Sequence, residues 1–270
     1  MSSMEMDGFL SEEAEESRRQ IQIVYKAAFE AAQQTNSLLM RELRELHIDW
    51  NDESKTIVAS LFVRSVETYQ ALIILLERGM VAQGRMLVRT LLETLFAMAA
   101  IAKNPQLKDA YIAKHYDSTI KAINSAKRWK QPNLKGRLEP DKIEELIEHN
   151  KAKLAESNGR ILKINQWAEE AGLSDYYNLF YVENSSAVHS DMLALNDHVV
   201  DGGSDGAQVY FGPSDFGLYH ALRTGATAIL TAVEALRHAY PSAPGEDIMQ
   251  LRNIWESHDD NFYGGIEGTE

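Results

Sequence analysis

The chain has 270 residues, of which 44% are hydrophobic, so it can bury one large core. Its formal net charge of −13 argues against a broad nucleic-acid-binding surface, which needs a cationic face. The sequence has no cysteine, so disulfides and cysteine-ligated metals are excluded.

The N-terminal region predicts a long amphipathic helix. Ser11 followed by EEAEE is typical of an N-cap with an acidic first turn, and the helical pattern continues to about His47. Its clearest apolar stripe consists of Ile21, Val24, Tyr25 and Ala28. This stripe is suited to packing on the rest of the bundle or on a second subunit.

Two strongly apolar helices are predicted next. Asn51 and Asp52 open the first, which should end at Gly79. The second runs over about 81–103 and ends before Asn104-Pro105. Because the connection near Gly79 is short, we expect the two helices to pack as an antiparallel hairpin.

We expect a cytoplasmic protein without a membrane partner. The N-terminus lacks the basic start and apolar stretch of a signal peptide. Arg89 and Glu93 interrupt the best candidate for a membrane span, which needs about 20 apolar residues.

The remainder of the chain is also helical by its periodicity. Predicted helices cover about 106–129, 141–155, 160–171, 174–200, 214–240 and 247–257. The segment 131–140 is a polar loop, and 201–215 is the one place where a β-turn or short hairpin is expected. The predicted fold class is therefore all-α, a multi-helix bundle of about eight or nine helices.

The same patterns divide the chain into four parts. Residues 1–10 are expected to be a disordered N-terminus, and 11–50 a peripheral N-terminal helix. Residues 51–257 form the predicted helical bundle domain, and 258–270 a flexible acidic tail.

Charged residues inside the two apolar helices predict a polar site. Arg85, Arg89 and Glu93 share one face of their helix, and Arg64 and Glu67 lie together on the preceding one. Buried charges must be paired or used, so we expect both sets to face a shared interior. One interpretation is an ion-pair network that fixes helix register, and the other is a site where a guanidinium binds an anion.

A second group of polar residues surrounds His189. Ser185 lies four residues before it and Ser186 three, so either hydroxyl can reach the same helical turn. Asn178 and Asn196 fall near the same face. A histidine titrates near neutral pH and is a natural general base, although a satisfied core or surface histidine would produce the same pattern.

Together these motifs resemble an uncharacterised family. The pairing of R-x3-R-T-L-x-E (Arg85 to Glu93) with S-x3-H (Ser185 to His189), and an upstream R-S-x-E (Arg64 to Glu67), resembles a bacterial all-helical family of unknown function. The resemblance covers roughly Ser54 to Tyr240. It implies a helical bundle similar in outline to the HEPN-like ribonucleases of toxin and phage-defence systems.

These motifs are compatible with two functions, and the sequence leaves both open. The first is a metal-independent, RNA- or nucleotide-directed toxin or defence protein, with His189, Arg89 and Arg85 as catalytic residues. Arg64, Glu67, Glu93, Ser185 and Ser186 would contribute to binding. The second is a non-catalytic binding or oligomerisation module that senses a small anionic ligand, a protein partner or a second copy.

No cofactor or metal is expected, because the sequence matches neither H-E-x-x-H nor the paired E-x-x-H of di-iron bundles. Glu145, Glu148 and His149 lie in a charged segment that is typical of a solvated face. The spacing of Arg252-Asn253 and His258 also resembles a HEPN motif, but such spacings arise by chance at this composition.

Overall fold

The computed structural model describes residues 2–128, 140–157, 159–189, 198–201, 206–240 and 245–263. At several of these positions, including Ser186 and His189, only the backbone is described. Asn196 and all but the last residue of the predicted loop 131–140 lie outside these residues. The regular secondary structure of the described residues is helical apart from one pair of short strands, so the all-α prediction is confirmed.

In the first half of the chain, residues 2–128 form six helices and two 3-10 turns. They are α1 (Ser3–Asp7), α2 (Glu12–Val24), α3 (Lys26–Glu45), α4 (Glu53–Glu77), α5 (Val81–Lys103) and α6 (Lys108–Arg128), with turns at Gly8–Leu10 and Pro105–Leu107. The Ser11 hydroxyl accepts a hydrogen bond from the backbone N–H of Ala14 at 3.1 Å. Asp52 accepts one from the N–H of Lys55, also at 3.1 Å. Both predicted N-caps are therefore confirmed.

In the second half, the described residues form six more helices and a β-pair. The helices are α7 (Pro140–Glu156), α8 (Ile164–Ala171), α9 (Ser174–Tyr176), α10 (Val182–His189), α11 (Leu218–Ala239) and α12 (Glu246–Tyr263). A π-helical turn, Tyr177–Tyr181, joins α9 to α10. Strands β1 (Val199–Asp201) and β2 (Ala207–Val209) pair antiparallel near the predicted hairpin.

The described residues hold more helical segments than the eight or nine expected, partly because the predicted helix 11–47 is divided at Tyr25. That residue has φ −100° and ψ 25°, outside the helical range. Hydrogen bonds from Tyr25 N to Ile21 O and from Phe29 N to Tyr25 O still cross the break, which is therefore local. The Tyr25 hydroxyl donates to Asp215 at 3.2 Å. Burial, together with the Asp215 charge, raises the pKa of Tyr25 to about 12.

The turn between α4 and α5 is packed against a distant segment. Gly79 has φ 71°, a conformation that favours glycine, and it follows the end of α4 as predicted. An added Cβ would lie 2.8 Å from Pro213 Cβ. The Gly79 carbonyl accepts a hydrogen bond from Ser214 N at 2.9 Å. The helices that this turn joins pack against each other.

The core is centred on α4, α5 and α11. Leu72 of α4 is fully buried between glycines of its two neighbours, Gly84 on α5 and Gly225 on α11. A Cβ added to Gly225 would lie 2.3 Å from Leu72 Cδ2, so the absence of a side chain permits this close approach. Helix α3 also contributes buried side chains to this core, including Phe29 and Leu39. The fourfold division of the chain into parts stays a prediction.

One of the described helices, α4, is long and apolar enough to cross a membrane by length and composition. Within its most apolar 18-residue window, 44% of the residues are buried inside the protein.

Candidate functional site

The polar stripe on α5 contains an ion pair. Arg89 Nε donates to Glu93 Oε1 at 3.2 Å, one helical turn away, as the spacing predicts. The Arg89 side chain is 16% exposed and that of Glu93 is 42% exposed. Arg85 lies a further turn towards the helix N-terminus and is half-buried. The stripe therefore lies at the edge of the core, where it is partly open to solvent.

Tyr181, the last residue of the π-helical turn, completes this ion pair. Its hydroxyl donates to the same Glu93 oxygen at 2.8 Å. The Arg89 guanidinium carbon lies 4.9 Å from the centre of the Tyr181 ring, within the range of a cation–π interaction. Burial raises the pKa of Tyr181, and the hydrogen bond to Glu93 and its charge raise that pKa further. We call Arg89, Glu93 and Tyr181 the α5 cluster.

Aromatic packing fixes the Tyr181 ring in this position. Tyr177 stacks on it, with ring centroids 5.1 Å apart and an angle of 18° between the planes. Phe96 of α5 contacts the same ring at a centroid distance of 6.2 Å. The sequence indicated an aromatic group here but not the partner of its hydroxyl, because the pairing spans 88 positions along the chain.

Helix α10 packs against α5 and carries the second predicted motif. The Ser185 hydroxyl donates to the Tyr181 carbonyl at 2.7 Å, so it is bound to its own helix. Asn184 is 1% exposed; its amide N–H donates to Phe180 O at 2.8 Å. Its Oδ1 has no partner among the described residues. The side chains of Ser186 and His189 lie outside what the structure describes, so their roles stay predictions.

Arg64 and Glu67 do not share an interior with the α5 cluster. Both side chains are exposed on α4, because the buried face of that helix is formed by its apolar residues and Ser65. The expectation that they face a common buried site is therefore wrong. A role of these two residues in binding stays a prediction.

A second charged cluster lies elsewhere and is more deeply buried. Arg237 of α11 and Glu42 of α3 are 9% and 6% exposed, and an Arg237 nitrogen lies 2.5 Å from Glu42 Oε1. Two Arg237 nitrogens also donate to Asp247 of α12, each at 2.9 Å. Arg41 of α3 donates to Asp247 as well. We call these four residues the α11 cluster.

The sequence did not predict the α11 cluster. Arg237 lies in the last turn of a helix, where a cation is expected for the helix dipole alone. Glu42 lies in the charged run RELREL, which is typical of a solvated face. The pairing spans 195 positions, and no local pattern could have shown it. Hydrogen bonds to Asp247 and Glu42 raise the pKa of Arg237, and Arg237 lowers that of Asp247.

The Arg252 and His258 pair does not form a site of its own. Arg252 donates to Glu234 at 3.0 Å and to Thr231 at 3.1 Å, both on α11. His258 lies six residues further along α12, about 240° around the helix, so the two side chains point in different directions. Glu145, Glu148 and His149 are exposed, as expected for a solvated face. No group of three or more potential metal ligands occurs within the residues described.

Cavities on the surface lie apart from the α5 cluster. One of about 300 Å³ is lined by His47, Lys55 and Tyr240, and one of about 380 Å³ lies between α3 and α12. Others measure about 200 Å³ and about 70 Å³. Arg85, Arg89 and Glu93 line none of these four.

The protein is therefore an all-α helical bundle with a half-buried Arg/Glu/Tyr cluster. The model of the family of unknown function DUF5677 matches residues 55–207, more than half of the chain, and the protein belongs to this family. The match contains all three residues of the α5 cluster. It ends before Tyr240, to which the sequence resemblance was expected to extend. No curated protein and no solved structure matches the chain.

Proposed function

We propose that the protein is a metal-independent, RNA-directed ribonuclease, similar in outline to HEPN-like toxins and phage-defence proteins, acting in the bacterial cytoplasm. The observation that supports this is the packing of α10, which carries the second motif, against α5, which carries the first. Arg89 and Glu93 of the first motif contact Tyr181, one helical turn before Ser185, where the second begins. In this proposal α4 and α5 form an antiparallel hairpin.

The chemistry is cleavage of a phosphodiester by its own 2′-hydroxyl. His189 accepts the 2′-hydroxyl proton, the 2′-oxygen bonds to phosphorus, and the bond from phosphorus to the 5′-oxygen breaks. The departing oxygen takes a proton from water. Arg85 or Arg89 stabilises the charge that develops on the phosphate oxygens.

The remaining residues hold this arrangement in place. Glu93 and Tyr181 orient the Arg89 guanidinium through their shared contacts. Arg64, exposed on α4, would contact a phosphate of the bound strand, with Glu67 beside it. Ser185 and Ser186 lie one turn before His189 and would orient its ring.

The acidic surface sets a limit on this reaction. A net charge of −13 repels RNA at long range and slows its association, so binding would depend on the local arginines. Added salt screens this repulsion but also weakens the contacts of the local arginines with phosphate, so the two effects oppose each other and cleavage should depend only weakly on salt.

The alternative is a non-catalytic binding or oligomerisation module. The observation that favours it is that Arg89 already has a carboxylate and an aromatic ring as partners within the protein. Such an arrangement can fix helix packing without any reaction. Under this alternative the partner is a small anionic ligand, another protein or a second copy.

The test is expression in bacteria of the wild type, His189→Ala and Arg89→Ala, with growth and total RNA integrity measured. His149→Ala is the control, because it removes an exposed histidine from α7. We expect the wild type and the control to be toxic and to degrade RNA. His189→Ala should lose about 100-fold or more of the cleavage rate while remaining folded by circular dichroism.

Purified protein should cleave RNA in the presence of EDTA. Cleavage that survives in His189→Ala would overturn the assignment of the base. A wild type that leaves RNA intact and growth normal would favour the binding module.

A further inference from the structure

A groove between α3 and α12 lies outside the segment matched by the family model. It measures about 380 Å³, within the range of small-molecule sites. The α3 side is lined by Gln34, Ser37, Arg41 and Arg44, which fall on one helical face; Gln250 and Ile254 lie on the α12 side. Two elements that are distant in sequence thus form one concave polar surface.

The charges in this groove are cationic in an acidic protein. Two guanidiniums, those of Arg41 and Arg44, face a single carboxylate, Asp247, among the lining residues. That carboxylate is already bound by two nitrogens of Arg237. Arg44 is exposed and makes no hydrogen bond or ion pair with any residue in the described ranges.

Arg41 also has donors to spare. Its contact with Asp247 uses one terminal nitrogen, whereas a guanidinium carries five N–H groups in a planar fork. Two neighbouring guanidiniums with free donors match the oxygens of a phosphate, which arginine binds in a bidentate manner. The groove floor includes the buried side chains of Leu38 and Leu251, which would contact an apolar or planar part of the same ligand.

We propose that this groove binds a small phosphorylated molecule. Arg41 and Arg44 hold the phosphate, Gln34 and Gln250 offer amide groups beside it, and the organic part lies over Leu38 and Leu251. The site shares no residue with the proposed ribonuclease site, so either can fail without the other.

The experiment is isothermal titration calorimetry of the full chain at low ionic strength with pyrophosphate and AMP as probes. We expect saturable binding of both to the wild type. Arg44→Gln should bind each at least about ten-fold more weakly, because a charge-assisted contact is lost. Since Arg44 is exposed and unpaired among the described residues, this variant should melt at the wild-type temperature.

Arg19→Gln is the matched control. It removes the same charge from an exposed arginine of α2 that pairs only with Glu16 at 3.0 Å within the described structure. Its affinity for both probes should equal that of the wild type. Ser37→Glu is a second variant that places a carboxylate in the groove, and it should weaken binding even if Arg44→Gln fails to fold.

Three results would overturn the proposal. One is the absence of saturable binding of either probe to the wild type. Another is an equal loss in Arg44→Gln and Arg19→Gln, which would show a general charge effect. The third is binding of pyrophosphate without AMP, which would contradict a place for the organic part over Leu38 and Leu251.

Discussion

The α5 cluster and the α11 cluster both place an arginine against carboxylates, but they differ in burial and in sequence range. The α5 ion pair lies within one helix and leaves Glu93 42% exposed. The α11 pair joins α3 to α11, with both partners below 10% exposure. Arg89, a charged residue in a strongly apolar helix, is therefore the more solvated of the two arginines. The α11 cluster joins helices that are distant in the chain, and its local sequence has no unusual pattern.

The largest expected effect is from Arg237→Ala. It leaves Glu42 buried without its partner, and breaking such a pair costs about 3–5 kcal/mol of unfolding free energy. Urea denaturation followed by circular dichroism measures this. Arg252→Ala is the control, because its partner Glu234 is half exposed, and its loss should be below about 1 kcal/mol. Equal losses in the two variants would remove the distinction between buried and solvated pairs.

The next effect is a dependence of stability on pH through Asp247. Hydrogen bonds from Arg237 hold the pKa of this carboxyl below its ordinary value of 3.8. The stabilisation is therefore fully present above about pH 4 and is lost as the pH falls through the lowered pKa. The difference in unfolding free energy between wild type and Asp247→Asn should be constant from pH 7 to about pH 5 and shrink in more acidic solution. A constant difference down to pH 3 would contradict the expectation.

In the α5 cluster, Tyr181→Phe should have a smaller effect. It removes the hydroxyl that donates to Glu93 but keeps the ring beside Arg89, and we expect a loss of about 1 kcal/mol. The measurement is again urea denaturation. Tyr177→Phe is the matched control, since that residue contributes its stacked ring and no hydroxyl contact among the described residues. A control that loses as much as Tyr181→Phe would show that the Glu93 contact contributes nothing.

The smallest expected effect is from Arg89→Lys. Lysine keeps the charge beside Glu93 but loses the planar group over Tyr181, at a cost of about 0.5–1 kcal/mol. Thermal unfolding monitored by circular dichroism, with Arg19→Lys as an exposed control, measures the difference. A loss of stability as large as that of Arg237→Ala would contradict the expectation that the α5 cluster contributes less to stability than the α11 cluster.

Much of the fold follows from local sequence. Ser11 and Asp52 predict the N-caps found, and Gly79 the end of α4, because capping chemistry depends on a few adjacent residues. The break at Tyr25 could not be predicted, since its hydroxyl partner, Asp215, is 190 positions away. The interval from Arg89 to Glu93 predicts their pairing for the same local reason.

The remainder of the site depends on tertiary contacts. In the sequence, Arg64 and Glu67 lie among apolar residues. In the structure both are on the exposed face of α4, and the apolar neighbours do not predict this. Tyr181 was one of three tyrosines close together, and only the packing of α10 on α5 shows that it bonds to Glu93. The partners of Arg237 were hidden for the same reason.

The π-helical turn at Tyr177–Tyr181 determines how α10, which follows it, is rotated about its axis. The N–H of Val182 bonds to the carbonyl of Tyr177, five residues back, so one residue is added to an otherwise regular period. If the same residues formed a regular α-helix instead, the added residue would rotate α10 by about 100°. Ser185 would then leave the face that it now occupies. The face that α10 presents to α5 therefore depends on this turn as much as on the residues of α10.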